Sequence, residues 1–331
     1  MKALYSLLAY ACLVSLVLLG VGVAGLDYLF GVIIPYAAIV LFLTGFIYRV
    51  IYWAKSPVPF RITTTCGQQK TLDWVKSSKL ESPHTILGVL GRMALEILFF
   101  RSLFRNTRIS LKEGPKLVYG ATKWLWFGSL AFHWSFLIIL IRHLRFFTEP
   151  VPYSIALIEQ LDGFFQVGLP ILLLTDIIIV TALTFLCLRR VFDIKVRYIS
   201  LPADYFPLFL LLGITISGVL LRYFIKTDLV AIKELAIGLI TFRPIVPEGI
   251  GSMFFIHLFS VCALFAYFPF SKLMHLGGVF LSPTRNLANN NRMKRHVNPW
   301  DYPVKVHTYE EYEDEFRPVM KAAGMPLDKD S

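Results

Sequence analysis

The chain has 331 residues, 56% of them hydrophobic and 17% charged, with 28 phenylalanines, which is more apolar surface than a soluble globule of this size can hide. Collagenous, coiled-coil and disordered classes are excluded, and Cys12, Cys66, Cys187 and Cys262 are too scattered for a CxxC iron–sulfur or zinc pair or a CxxCH haem c attachment. The formal charge of +11 reads as the Lys and Arg excess of cytoplasmic membrane loops, and no nucleic acid is expected as a partner.

A helix that crosses a bilayer needs about 20 apolar residues. Six stretches reach that length, near 3–25, 29–53, 122–147, 164–188, 203–225 and 251–274. The sequence therefore predicts an all-α fold, a polytopic membrane helix bundle with six transmembrane helices. The first stretch is too long for a signal-peptide core and is expected to remain as an anchor. Within it Gly20-Val-Gly22-Val-Ala-Gly25 matches GxGxxG letter for letter. No strand precedes it, so its small residues serve close helix approach, not dinucleotide binding.

Residues 1–53 thus hold two N-terminal spans, and 54–121 form a polar, basic loop. Inside that loop 86–105 predicts a helix lying in the interface, because Arg92 and Glu96 interrupt its apolar run. Residues 122–275 are the main membrane domain. The 276–331 tail is basic at Arg292, Lys294 and Arg295, then acidic from Glu310 to Glu315; its aromatic residues predict ordering against a partner.

Charge sets the orientation. With six spans, one side collects 26 of the 33 Lys and Arg: twelve over 54–123, eight in the tail, Arg189, Arg190, Lys195 and Arg197, and Lys2 and Lys272. The other side holds Arg142, Arg145, Arg222, Lys226, Lys233 and Arg243, and Arg49 lies inside the second span. Both termini are therefore expected in the cytoplasm, with the chain multi-pass in the cell membrane and surrounded by lipid.

Four of the seven histidines fall in or at the end of spans: His133 and His143 in the third, His257 in the sixth and His275 just after it. Ionisable side chains at membrane depth are costly and mark function, and neutral imidazole is an axial ligand of haem iron. A lone histidine there is more often an interhelical hydrogen bond. Four on two helices are a different matter. His133 and His143 are ten residues apart, about 15 Å along a helix, and His257 and His275 are 18 apart, five whole turns and about 27 Å. The third and sixth spans run antiparallel, so the pairs are His133 with His275 and His143 with His257. The mismatch in spacing calls for tilt, or for Pro269 ending the last span early.

Two histidines per site, without cysteine or a nearby carboxylate, make a poor zinc or copper site and suit haem b. Arg142, Arg145, Arg189 and Arg222 lie near span ends, in reach of haem propionates; positive-inside anchoring serves Arg189 equally well. A non-redox transporter or proton channel using the same buried groups, and a plain membrane anchor, stay open as other classes.

The ten-residue spacing of His133 and His143, with Phe268-Pro-Phe-Ser-Lys-Leu-Met-His275 closing the last span, resembles the respiratory nitrate reductase gamma family of dihaem cytochromes b over 120–276. Three loop segments, Thr65-Cys-Gly-Gln-Gln-Lys70, Ser77-Ser-Lys-Leu-Glu-Ser-Pro-His84 and Gly91-Arg-Met-Ala-Leu-Glu96 through Asn106, are similar more specifically to the DsrM family. The tail segment Val304-Lys-Val-His-Thr-Tyr-Glu-Glu311 points the same way. Those are cytochrome b subunits of the membrane complex linked to dissimilatory sulfite reduction. The extra first span and the long loop depart from the nitrate reductase pattern and argue against nitrate reduction.

The resemblance implies a dihaem core of four to five helices, two haem b groups and menaquinol oxidation at the outer one. It also implies electron transfer to a cytoplasmic iron–sulfur subunit resembling the heterodisulfide reductase catalytic subunit. The larger assembly would be a DsrMKJOP-like complex with a multihaem cytochrome c. Quinol oxidation also needs a proton acceptor in reach of water. Glu159 and Asp162, at the outer entry to the fourth span, are the candidates, with Arg142 steadying a developing negative charge; pairing with Arg142 or Arg145 as plain interface carboxylates is the alternative.

Overall fold

Five helices long and apolar enough to cross a bilayer stand among the described residues of the computed structural model, which are 2–56, 67–112, 114, 116–165, 171–225, 227–293 and 305–330. They are Lys2–Gly22, Leu29–Ala54, Lys123–Phe146, Pro202–Tyr223 and Ser252–Phe270. Helix α1 (Lys2–Gly22) turns at Gly25, whose φ of 63° suits a residue without Cβ. A π-helical turn at Leu29–Ile33 then feeds α2 (Ile34–Ala54). Gly20 serves packing, since a Cβ there would lie 2.4 Å from the Phe30 ring.

The single helix expected over 86–105 is two. Helix α3 (Ile86–Phe99) is capped by Thr85, whose side chain accepts from the Gly88 N–H. It stops at Phe100, which is left-handed at φ 50°, and α4 (Arg101–Arg105) follows. The all-α expectation also needs correction in detail. Strands β1 (Thr107–Lys112) and β2 (Lys116–Ala121) pair as an antiparallel hairpin, Thr107 opposite Ala121. Strict alternation in Thr-Arg-Ile-Ser-Leu-Lys is the period-two pattern of a strand.

Helix α5 (Lys123–His143) carries on as a short 3-10 turn to Phe146, and α6 (Tyr153–Asp162) follows. The fourth span, expected over 164–188, begins ten residues later. Strands β3 (Gly163–Phe165) and β4 (Leu172–Leu173) pair first, and α7 runs Leu174–Phe192. Asp176, Arg189 and Arg190 occupy its terminal turns, which leaves a shorter apolar middle than the other five possess. Helix α8 (Ile194–Ile199), capped by Asp193, leads to α9 (Pro202–Tyr223), and α10 (Leu229–Ile240), capped by Asp228, leads to α11 (Ser252–Tyr267).

The last span does not reach His275 as one helix. Pro269 lies in a 3-10 turn, Ser271 is extended (φ −120°, ψ 176°), and a second 3-10 turn precedes α12 (His275–Leu281). The five-turn, 27 Å spacing expected for His257 and His275 is thereby replaced by a broken path. Proline cannot continue the hydrogen-bond ladder there. Helix α13 (Pro283–Asn286) ends this segment.

Packing runs α5 on α7, α7 on α9 and α9 on α11, with α1 against α9 and α11 and α2 against α11. Ile179, Leu183 and Leu211 form one core between α7 and α9, with Phe132 and Phe136 of α5 laid against it. Val17, Phe30, Leu235 and Phe255 belong to a second. Many large apolar side chains, among them Leu19, Val40 and Leu140, face outward, as lipid-facing residues do. In the tail, α14 (Tyr309–Ala322) opens with a capping box, the Thr308 side chain accepting from the Glu311 N–H and Glu311 accepting in return from the Thr308 N–H. Its Glu313, 1% exposed, accepts from the N–H groups of Asp328 and Lys329 and from Arg317, so the acidic run folds on its own chain end.

Candidate functional site

The four intramembrane imidazoles meet in two pairs. His133 lies 6.0 Å from His275, ring centroid to centroid and nearly perpendicular (77°); His143 lies 6.3 Å from His257, nearly parallel (15°). Each pair joins a partly buried ring to an exposed one, His133 with His275 and His257 with His143. Helices α5 and α11 are not among the pairs packed closely helix on helix, so the rings bridge the gap between the two ends of the α5–α7–α9–α11 row.

Each ring has its Nδ1 engaged. His133 Nδ1 is 2.7 Å from the Ser129 carbonyl, His143 Nδ1 2.7 Å from that of Ile139, and His275 Nδ1 2.9 Å from that of Lys272. A carbonyl only accepts, so each Nδ1 carries the proton. His257 Nδ1 faces Ser217 Oγ at 2.9 Å, and that hydroxyl donates its one proton to the Ile214 carbonyl, which makes His257 the donor there too. All four are thus the tautomer with a lone pair on Nε2, the form a metal takes, held by a partner on the far side of the ring.

Beside the His143–His257 pair lies a buried charge network. The Arg142 guanidinium bonds Asp176 (2.7 Å) and Thr175 Oγ1 (3.2 Å), and its Nε is 3.3 Å from Asp162. Both oxygens of Asp162 accept from Thr175, from its N–H at 2.9 Å and its hydroxyl at 2.6 Å. The Tyr223 hydroxyl donates to Asp176 (2.9 Å) while accepting from the Leu173 N–H (3.0 Å). Beside it Glu159 takes two bonds from Arg145, at 2.6 and 2.7 Å, with Arg222 at 3.7 Å. Phe146, 6.0 Å from the His143 ring, lines a cavity of about 350 Å³ together with Arg145, Glu149, Leu229 and Lys233.

The His133–His275 pair is walled by the 67–121 part of the loop. Phe100, at the left-handed break, sets its ring 4.9 Å from His133. The last carbonyls of α3, which a helix leaves unpaired, accept from two α5 indoles, Leu98 from Trp134 (3.0 Å) and Phe99 from Trp126 (2.7 Å). Arg92, 7% exposed, donates to the carbonyls of Arg285 and Leu287. Burial pushes its guanidinium below its ordinary range, and Arg285 beside it adds to the push.

Asp176, Tyr223, Ser217, Phe100 and the two tryptophans are the site residues that spacing does not announce. Asp176 was open to detection as the one acidic residue in the middle of an expected span.

The donor set suits haem. Among the described residues no three His, Cys, Asp or Glu side chains gather at one point, so each pair offers two nitrogens and the ligand must bring the rest of its own coordination. Two imidazoles bound in line at about 2.0–2.1 Å from a metal put their ring centroids roughly 6 Å apart, the separation seen at both pairs. Arg222 keeps a buried Nε without a hydrogen-bond partner, as a donor waiting for a carboxylate would, whereas the Nε of Arg142 already faces Asp162.

The family described as nitrate reductase gamma subunit matches residues 93–296. The Hdr-like menaquinol oxidoreductase cytochrome b-like subunit of Archaeoglobus fulgidus is 48% identical over 280 residues, 82% of this chain and 83% of that one. Its counterpart in Archaeoglobus profundus is 46% identical over 275 residues, 81% of each chain. The nitrate reductase gamma chain of Bacillus subtilis is 29% identical over 175 residues, 49% of this chain and 75% of its own length. With most of its length inside that family's pattern, and all four paired histidines within the matched residues, the chain belongs to the nitrate reductase gamma subunit family.

Proposed function

We propose that this chain is the cytochrome b subunit of a menaquinol-oxidising membrane complex, with α7 as the fourth of six spans and both termini in the cytoplasm. His143 and His257 hold an outer haem b, and His133 and His275 an inner one. The single observation that carries the reading is the two pairs of imidazoles, 6.0 and 6.3 Å apart, with every Nδ1 already occupied.

Haem b, when bound, supplies one-electron transfer across the bilayer; the chain's own residues do the rest. Oxidation of a quinol sheds two protons with two electrons. Glu159, partly exposed between Arg145 and Arg222, takes the two protons in turn on its carboxylate and passes each to outer water. Asp162, both oxygens engaged, holds Arg142 toward the site, where its charge steadies the deprotonating quinol. The cavity beside Phe146 gives the quinol ring an amphipathic entry next to His143. At the inner end the 54–121 loop and the tail form the docking side for a cytoplasmic iron–sulfur subunit.

The names of the two Archaeoglobus relatives support the quinol and cytochrome parts of this reading. The segments at 65–106 and 304–311, which lie wholly or largely outside the nitrate reductase gamma match, favour the DsrM group and dissimilatory sulfur respiration as its setting. A reduced-minus-oxidised spectrum of the purified chain tests the proposal, with haem b bands and two haems per chain expected. His143→Leu or His257→Leu should remove one haem, and His133→Leu or His275→Leu the other. A chain without haem b bands would return the buried His and Arg to a transporter or an anchor.

A further inference from the structure

Helix α2 is an apolar element whose one charged side chain is Arg49. A bare guanidinium at that depth is costly, and it persists where something anionic meets it. Arg49 Nε is buried and lacks a hydrogen-bond partner; among the described residues no carboxylate pairs with it, and its guanidinium stands 5.4 Å over the Trp53 ring.

Its position is fixed by two neighbours four residues away on the same helical face. A Cβ on Gly45 would lie 2.7 Å from Pro269, and one on Gly278 would lie 3.7 Å from the Trp53 ring. Phe46 likewise closes on Gly277, at 3.0 Å from a Cβ built there. The Gly45–Arg49–Trp53 face therefore runs along the broken segment from Pro269 to Gly278, and Arg49 is level with the stretch that holds His275. The outer pair has the same provision in Arg222, whose Nε is also buried and without a hydrogen-bond partner.

We infer that Arg49 binds a carboxylate at the inner His133–His275 pair, namely a propionate of the haem held there. This rests on the haem reading above, but the residue is new to it, since the family match begins at residue 93 and α2 lies outside that match. A guanidinium offers two parallel N–H donors to a carboxylate, a geometry that lysine lacks.

The test uses the full chain, its haem content and its midpoint potentials. In a His143→Leu background, where the inner haem alone remains, Arg49→Leu should lower the midpoint potential, because a nearby positive charge favours the ferrous form over the more positive ferric one. Arg49→Lys keeps the charge and should restore most of the shift. In a His275→Leu background, where the outer haem remains, Arg49→Leu should leave the potential unchanged. If His143→Leu loses both haems, the two-component titration of the otherwise unchanged chain should show one component displaced by Arg49→Leu and the other fixed. Unshifted potentials, an equal shift of both haems, or a change confined to co-purified anionic phospholipid would overturn the proposal alone. A wild-type chain without haem b bands would overturn the haem reading and this proposal with it.

Discussion

An imidazole in a membrane helix is defined by its Nδ1 as much as by its Nε2. His133 and His143 are steadied by carbonyls four residues back on their own helix, whereas His257 depends on Ser217 from a neighbouring helix. Ser217→Ala therefore frees the outer ring alone. Loss of such a supporting partner weakens metal affinity by about 10–100-fold, so outer-haem retention through dialysis should fall while the inner haem stays. Tyr223→Phe strips Asp176 of a donor and leaves the Leu173 N–H unpaired. A cost of about 1–3 kcal/mol is expected, seen as a lower thermal midpoint. Glu159→Gln should slow haem reduction by a menaquinol analogue with haem content unchanged; reduction at the wild-type rate would move the proton acceptor elsewhere. The meeting of His133 with His275 and of His143 with His257 is legible in the chain, because antiparallel helices leave one combination. Asp176 is less so, since its partners Arg142 and Tyr223 come from two other helices.

At the scale of elements, the apolar runs place five spans well and misjudge the start of α7 and the end of α11. Hydropathy reports composition, and the Leu and Phe of a short hairpin count toward a span as readily as those of a helix. The β1–β2 hairpin was within reach, because its alternation is plain over 107–112. The break at Phe100 was not, since a left-handed phenylalanine is sustained by tertiary packing on His133. Gly45 sits against the rigid Pro269 ring, so Gly45→Val must part α2 from the broken segment; loss of the inner haem ahead of the outer is the expected reading. In the tail, the hydrogen bond from Lys329 holds the Asp314 carboxyl below its ordinary range, while Asp314 and then Glu310 hold Lys329 above its own. The contact contributes through the neutral range. It should be lost as pH falls through the lowered Asp314 value, and again as pH rises through the raised Lys329 value. Amide exchange at residues 328–330, followed against pH in the full chain, should show protection failing at both ends and not between.

For the whole molecule, composition alone leads to a membrane bundle, and the Lys and Arg distribution to an expected direction with both termini inside. A membrane-impermeant lysine reagent applied outside sealed right-side-out vesicles should leave Lys305 and Lys321 unlabelled; their labelling would exchange inner and outer throughout. What composition leaves unsaid is how a loop helix and a distant C-terminal segment share one task. Helix α3 is fastened at its end to α5 through Trp126 and Trp134, and at its middle to residues 285 and 287 through Arg92. One of these anchorages belongs to the helix of His133 and the other to the segment that begins at His275. The fourteen residues of α3 act as a tie-rod between the elements that carry His133 and His275. A displacement of α3 is therefore passed first to that pair, while His257 stands on α11, beyond the extended residue Ser271.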